Sequence, residues 1–350
     1  MSKRTMPLIC VRPPGWTHES AQPFEALRRW VQRAEELGFD GVFVGDRLLS
    51  EASRGGEVVY GATMMDALVT LGAIAASTEK ILLGPLVLVF PFRHPIQLAK
   101  AVATLDVISD GRVVLGAGIG WSETEFSALG LPRTGRGAIF EEELAVVRRL
   151  WEGGPIEHRG DHWSFAGVQV SPTPKQAGGP PVWIASFSPG QALDWSEGSL
   201  PAPSSRVLDR AGRLADGWVP LIYSASSKRR LGADTLGEAW RRVLVAANGA
   251  GRARDDIDFV FSDWCYVLDG PSSEQRCRDA LQGFFTGSWE EALRTYTIGS
   301  RAEVVDQMLD HVRKVDRVDA FILTPLSDEI EQLEELAQVA FDLRRRAAAR

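Results

Sequence analysis

Between Lys80 and Trp121 the chain reads KILLGPLVLVFPFRHPIQLAKAVATLDVISDGRVVLGAGIGW. Two apolar runs rich in β-branched residues, Ile81–Val89 and Arg112–Gly120, flank a segment whose apolar residues Ile96, Ala99, Val102, Leu105 and Ile108 recur at spacings of three and four. That pattern predicts strand, helix, strand, and a helical crossover joins strands that run parallel. Neither strand alternates polar with apolar residues, so both faces of each must be covered, as inside an α/β layer fold or barrel. Gly116, Gly118 and Gly120 crowd the end of the second run. A missing Cβ there admits either a flat ligand or a second backbone, and the residues leave both readings open.

The same alternation extends over the chain. Strands are predicted at Pro7–Val11, Gly41–Asp46, Ile81–Val89, Arg112–Gly120, Val182–Ser186, Gly217–Ile222, within Asp258–Leu268, and at Ala320–Thr324. Helices follow them, the first with a face of Phe24, Leu27, Trp30, Val31, Ala34 and Leu37 that stops at Gly38, a glycine C-cap signal. Later helical stretches are predicted through Gln275–Tyr296 and Arg301–Val315, and a closing helix carries Ile330, Leu333, Leu336, Ala337, Ala340 and Leu343 on one face. Eight strand–helix units with no linker between groups predict a single α/β domain over residues 1–350, a (β/α)8 TIM barrel. Two stretches, 153–181 and 190–204, stand out as insertions in the loops at the C-terminal face. The first, rich in Gly, Pro, His and Trp, is too long for an ordinary connection and reads as an excursion over a ligand site. In such a barrel chemistry sits where strands end, at Asp46, Arg47, Leu86, Val87, Gly118, Gly120, Trp121, Ser186, Phe187 and Ser188.

Charge narrows the ligands. A net charge of −7 and a pI near 5.4 argue against a general nucleic-acid or anionic-membrane binder, which needs clustered Lys and Arg, and leave a small-molecule substrate as the expected partner. Cys10, Cys265 and Cys277 have no CxxC spacing, which suits inert thiols in a reducing cytoplasm. The apolar segment before Arg12 is too short for a signal-peptide core, and the run Ile81–Phe92 falls short of the roughly 18 residues of a membrane span. A cytoplasmic protein is the expectation.

Several motifs come near known chemistry and miss it. Gly116-Ala-Gly118-Ile-Gly120 is GxGxG rather than GxGxxG, and no acidic residue ends a following strand, so a dinucleotide fingerprint is not met. Ser186-Phe-Ser188-Pro-Gly190 approaches the GxSxG nucleophile elbow, but Ser186 replaces the first glycine and only His311 follows, within a helical pattern. His158 and His162 are four apart around Gly160 without the glutamate a zincin requires, so no metal site is expected. His94, before Pro95, suits a helix start and a ligand contact equally well. Trp121 directly follows the glycine-rich strand end and is the tryptophan assigned to the site.

Taken together, GVFVGDR (41–47), ILLGPLVLVFPFRHP (81–95), LAKAVATLDVISDGRVVLGAGIGWSETEF (98–126), SPTPKQAGGPPVWIAS (171–186), LADGWVP (214–220) and YTIGSRAEVVDQML (296–309) resemble the bacterial-luciferase-like flavin-dependent oxidoreductases. The resemblance implies a barrel that holds FMN or the deazaflavin F420. By position it implies a non-proline cis peptide at Leu86-Val87 against the cofactor ring, a wall at Gly118, Ile119, Gly120 and Trp121, a polar strand end at Asp46, and a phosphate loop at Ser186, Phe187 and Ser188; His94, at the mouth of the third unit, joins these as a cofactor-binding candidate. Asp46, Arg47 and Trp121 are the expected catalytic residues. The chain departs from the family at Arg47, where histidine is frequent, and at Trp121, where the F420-dependent sugar-phosphate dehydrogenases place an acid. Arginine stays protonated, so it can pair with an anionic flavin or substrate but cannot act as a base. The leading expectation is a monooxygenase using reduced FMN and O2 on a small organic substrate, with the flavin reduced by a separate reductase. F420-dependent hydride transfer on the same fold is the alternative, a non-catalytic flavin-binding protein is a third reading, and the family implies a homodimer.

Overall fold

The computed structural model describes residues 6–14, 23–49, 64–187, 202–224, 229–282, 285 and 287–347. In chain order the elements begin β1 (Leu8–Val11), α1 (Pro23–Glu36), β2 (Gly41–Val44), α2 (Ala67–Ser77), β3 (Leu82–Pro85), β4 (Leu88–Val89), α3 (Pro95–Ile108) and β5 (Leu115–Gly118). They continue with α4 (Glu123–Ala128), α5 (Arg136–Trp151), β6 (Ile156–Arg159), β7 (Ser164–Val168), β8 (Val182–Ala185), α6 (Ala202–Leu214), β9 (Gly217–Val219), β10 (Tyr223–Ser224), β11 (Arg229–Arg230) and α7 (Ala233–Gly249). The last are β12 (Asp258–Val267), α8 (Ser273–Gln282), α9 (Trp289–Thr295), β13 (Thr297–Gly299), α10 (Arg301–His311), β14 (Ala320–Pro325) and α11 (Ile330–Ala347). Two compact units result: a smaller one, 44–49 with 64–182, and a larger one formed by the remainder.

In the larger unit the strands of the main sheet run parallel with most of their side chains buried, and β10 and β11 form a separate antiparallel pair. β1 lies between β2 (Cys10↔Gly41) and β14 (Leu8↔Ala320), β14 pairs with β12 (Val260↔Ala320), and β12 pairs with β9 (Asp258↔Gly217), which pairs with β8 (Ile184↔Trp218). Helix α1 buries Leu27, Trp30, Val31 and Ala34, and Gly38 closes it at φ 81, as a left-handed C-cap requires. Tryptophans fill this core: Trp218 stacks on Trp240 at 5.9 Å, and Trp183 on Phe43 at 5.3 Å. The stretch expected to be helical through Tyr296 holds α8 and α9, and between it and α10 lies an unpredicted strand, β13, which adds to β12 in parallel (Tyr266↔Ile298). Its three residues are too few for periodicity to register. Of the predicted α11 face, Leu333, Leu336, Ala340 and Leu343 are buried, whereas Ile330 stands at the exposed first turn.

In the smaller unit the opening stretch folds as strand, helix and strand, with one change. The predicted strand Ile81–Val89 divides into β3 and β4 around Leu86-Val87, whose peptide bond is cis as the resemblance implies. β3 meets the chain before β5 at Leu83↔Val113, and β4 pairs with β5 through Leu88↔Ala117 and Val89↔Gly118. Helix α3 starts on Pro95 with His94 as its N-cap, and its buried stripe runs through Leu98, Ala99, Val102, Leu105 and Asp106. Ile108, expected on that face, is 52% exposed. Arg112 gathers the ends of two helices, donating to Ala75 O, Thr78 O, Ile81 O and Ser109 O. A guanidinium suits this place because the last helical carbonyls lack partners within the helix.

The stretch 153–181 is an excursion that carries two short strands. β6 and β7 form an antiparallel hairpin, and Glu142 of α5 holds its tip by accepting from His162 N–H (3.0 Å), Trp163 N–H (3.0 Å) and the His158 ring (2.8 Å). The return strand of chain is held by Asp106, which accepts from the Gln176 N–H and side-chain amide, while that amide also donates to Val113 O. These bonds fasten the excursion to α5, to the end of α3 and to the N-terminal side of β5, while Trp163 at the hairpin tip meets the His94 ring at the start of α3. Burial raises the Glu142 carboxyl while His158 and the two N–H donors lower it further, leaving it below the usual carboxylate range. Glu142→Ala is expected to cost about 0.5–1.5 kcal/mol, because the part-buried Trp163 N–H and the exposed His162 N–H lose their acceptor. The loss should appear as faster amide exchange at His162 and Trp163, and unchanged exchange there would refute the anchor.

Candidate functional site

The predicted site residues divide between the units. Asp46, Arg47, Leu86, Val87, His94, Gly118, Ile119, Gly120 and Trp121 lie in the smaller unit, and Ser186 and Phe187 in the larger. Ser188, residues 50–63 and most of the stretch 190–204 lie outside the described residues.

Asp46 leaves β2 with its side chain 1% exposed and is fully engaged. One oxygen accepts from Val89 N–H (2.9 Å) and Arg93 Nη1 (2.7 Å), and the other from Arg93 Nη2 (2.8 Å). Arg93, which the sequence reading passed over, is the signal that could have exposed this pair. It is a lone cation inside the apolar run FPFRHP, and such a cation needs a carboxylate nearby.

Arg47 is 8% exposed; its Nε donates to Leu49 O (2.9 Å) and its guanidinium lies over the Trp121 ring, 5.0 Å from the centroid. Trp121 is 48% exposed, so one cation–π pair forms part of the surface. The segment is fixed by Glu125 of α4. Glu125, 4% exposed, accepts from Leu48 N–H (2.8 Å) and Leu49 N–H (3.1 Å), and Ser122 caps the same helix.

The glycines of β5 answer the question left open by the sequence. A Cβ on Gly116 would stand 2.1 Å from Pro85 O, one on Gly118 2.6 Å from Val87 Cγ2, and one on Gly120 2.7 Å from Val89 Cγ1. All three therefore serve close packing against the chain that carries Leu86 and Val87. What the strand ends leave partly open is Gly45, Val87, Ile119 and Gly120, with Trp121 beside them. A small, apolar wall next to a guanidinium suits a planar ring that carries negative charge.

His94 accepts from Ile96 N–H through Nδ1 (3.2 Å), and its ring meets Trp163 edge-on at 6.5 Å. Its described contacts are those of a helix start. Glu143 of α5 is 0% exposed with neither carboxyl oxygen hydrogen-bonded, and burial pushes its pKa up to about 9 against the smaller opposing pull of Arg93. It is a neutral acid in the core at neutral pH.

In the larger unit Ser186 Oγ accepts from Trp218 Nε1 (3.1 Å). Phe187 follows with its ring buried and φ 68, a left-handed conformation uncommon for a non-glycine residue, and its carbonyl accepts from Leu221 N–H (3.0 Å). A deeper polar group joins Asp263 to Arg230, Thr297 (2.6 Å) and its neighbouring Trp264 N–H (2.9 Å). Among the described residues no cluster of His, Cys, Asp and Glu could hold a metal ion, and no helix is long and apolar enough to cross a membrane.

The luciferase-like monooxygenase family matches residues 6–194. The F420-dependent glucose-6-phosphate dehydrogenase of Microbacterium testaceum is 32% identical over 229 residues, 64% of this chain and 59% of that one. The oxygenase component of the flavin-dependent trigonelline monooxygenase of Acinetobacter baylyi is 34% identical over 118 residues, 33% of this chain and 32% of the relative. The match thus spans 59% of the dehydrogenase's length, less than two thirds. Among solved structures, monooxygenase RslO1 from Streptomyces bottropensis superimposes with a TM-score of 0.75 at 24% identity, covering 96% of this chain and 98% of the other. An F420-dependent secondary alcohol dehydrogenase with an F420-acetone adduct gives a TM-score of 0.75 at 16% identity, covering 97% and 99%. At that identity the likeness speaks for fold alone, and the fold is the α/β TIM-barrel class expected from the alternation.

Proposed function

Because the chain belongs to the luciferase-like monooxygenase family, we propose that it is a flavin-dependent monooxygenase, using reduced FMN and O2 on a small organic substrate with the flavin supplied by a separate reductase. The observation that carries this reading is the Arg47–Trp121 pair at the ends of β2 and β5. Removing hydride from an alcohol also requires a base for the hydroxyl proton, and arginine stays protonated. Asp46 is bound by Arg93 and Val89 N–H, and Glu125 by two backbone N–H groups. The carboxylates described at these strand ends are thus engaged, and the cation suits negative charge on a reduced flavin. When bound, such a flavin supplies two electrons to O2. The chain's share is to present Val87 and Ile119 to the ring, keep water away with Trp121, and stabilise anionic charge through Arg47.

A second reading, F420-dependent hydride transfer without O2, is favoured by the F420-dependent glucose-6-phosphate dehydrogenases among the sequence relatives. Ligand-dependent thermal shift separates the two. Reduced FMN at a hundred times its Kd is expected to add about 2.7 kcal/mol of apparent stability, with reduced F420 adding less. Arg47→Met is expected to weaken reduced FMN roughly tenfold, the loss of one charge-assisted contact. Stabilisation by F420 alone, with anaerobic turnover, would replace the monooxygenase reading by the second.

A further inference from the structure

The chain from Leu86 to Val89 is tied at both ends to the strand beside it. Leu86 N–H donates to Val44 O (2.7 Å), and Val89 N–H to Asp46 Oδ2 (2.9 Å). The Val89 carbonyl is held as well, accepting from Arg93 Nη1 (3.1 Å). One ion pair therefore grips both polar groups of a single peptide residue, and that residue sits two positions from Val87, the partly exposed member of the wall. Arg93 is itself fixed by the tight turn before it, its N–H donating to Phe90 O (2.9 Å). Asp66, the other acid near the guanidinium, stands 3.9 Å away and 45% exposed, against 2.7 Å for the enclosed Asp46. Enclosure matters because a bidentate guanidinium–carboxylate pair shielded from water resists competition from solvent and salt.

We propose that Asp46 and Arg93 are positioning residues: their pair sets the height of the Val87 wall against the cofactor ring, and so controls how tightly the reduced cofactor is held. The inference rests on the function proposed above. A pair that merely stabilises the fold would contribute to melting temperature and nothing else. One that positions the wall moves cofactor binding when the fold is intact, since an apolar surface drawn even a fraction of an ångström away from a ring loses dispersion contact with it.

The test compares wild type, Asp46→Asn, Arg93→Met and Arg93→Lys by equilibrium binding of reduced and oxidised FMN and of reduced F420, with circular dichroism and amide exchange at Val89. Asp46→Asn and Arg93→Met are expected to weaken the reduced cofactor roughly tenfold, to speed Val89 exchange, and to leave the dichroism spectrum unchanged, while Arg93→Lys recovers part of the loss. Should Arg93→Met fail to fold, the near-isosteric Asp46→Asn and the Arg93→Lys variant decide. If wild type binds a reduced cofactor and these variants bind it equally well, the positioning role is overturned while the functional reading stands. If wild type binds neither cofactor, the functional reading fails and this proposal falls with it.

Discussion

Gly116→Ala is expected to leave little folded protein, and no second-site truncation of a side chain should restore it. Its new methyl would stand 2.1 Å from the carbonyl oxygen of Pro85, a main-chain atom one residue before the Leu86-Val87 peptide. Main chain can yield only by moving the strand, so the cost belongs at the upper end of overpacking, about 3 kcal/mol or more against a typical total of about 5–15. Gly118→Ala is the control: its methyl meets Val87 Cγ2 at 2.6 Å, the end of a side chain. The double variant Gly118→Ala with Val87→Ala is therefore expected to regain soluble expression and most of the lost melting temperature. Wild-type stability in Gly116→Ala, or no recovery in the double variant, would show that this contact between the third and fourth strand runs is looser than described.

The second large effect is a pH dependence carried by Glu143. Its folded pKa, about 9, lies above the ordinary carboxyl value of 4.5, so between those values the folded state keeps a proton that the unfolded state releases. Stability from this group is complete below pH 4.5 and is lost as pH rises towards 9, at about 1.4 kcal/mol per pH unit. Other buried groups limit where it can be read. Burial lowers the pKa of His311, which costs stability as pH falls below 6.5, and Cys265 and Cys277 are raised above the ordinary thiol value of 9.0. From pH 7 to 8.5 those groups are nearly silent. In that window wild type is expected to lose about 2 kcal/mol, and Glu143→Gln to lose far less. Glu143→Leu should also be more stable at pH 7 by about 1–3 kcal/mol, because it removes an unsatisfied buried polar group. Parallel urea-denaturation midpoints for wild type and Glu143→Gln across the window would refute the assignment.

Glu142 and Glu143 show where reading the sequence stopped. Both fall within one helical pattern, in which the apolar residues Phe140, Leu144, Val147, Leu150 and Trp151 recur at helical spacing and are buried. One residue of helical rotation separates a carboxylate that holds the β6–β7 hairpin from one sealed in the core. Nothing in two adjacent identical letters says which is which. Arg93 and Asp46 make the same point at longer range, 47 residues apart in sequence and 2.7 Å apart in space. Gly116, Gly118 and Gly120 were legible as a place needing close approach, but what approaches them was not.

The alternation of buried strands and amphipathic helices determined that this chain forms a parallel α/β structure, since hydrophobic period and local glycine or proline signals act over a few residues and survive in a linear text. The partners of Asp46, Arg47 and Glu125, the neutral state of Glu143 and the helix-bound course of 153–181 were decided only in three dimensions. Each depends on groups distant in sequence meeting where water is excluded, and the strength of a charge or hydrogen bond is set by that exclusion rather than by the residue's identity.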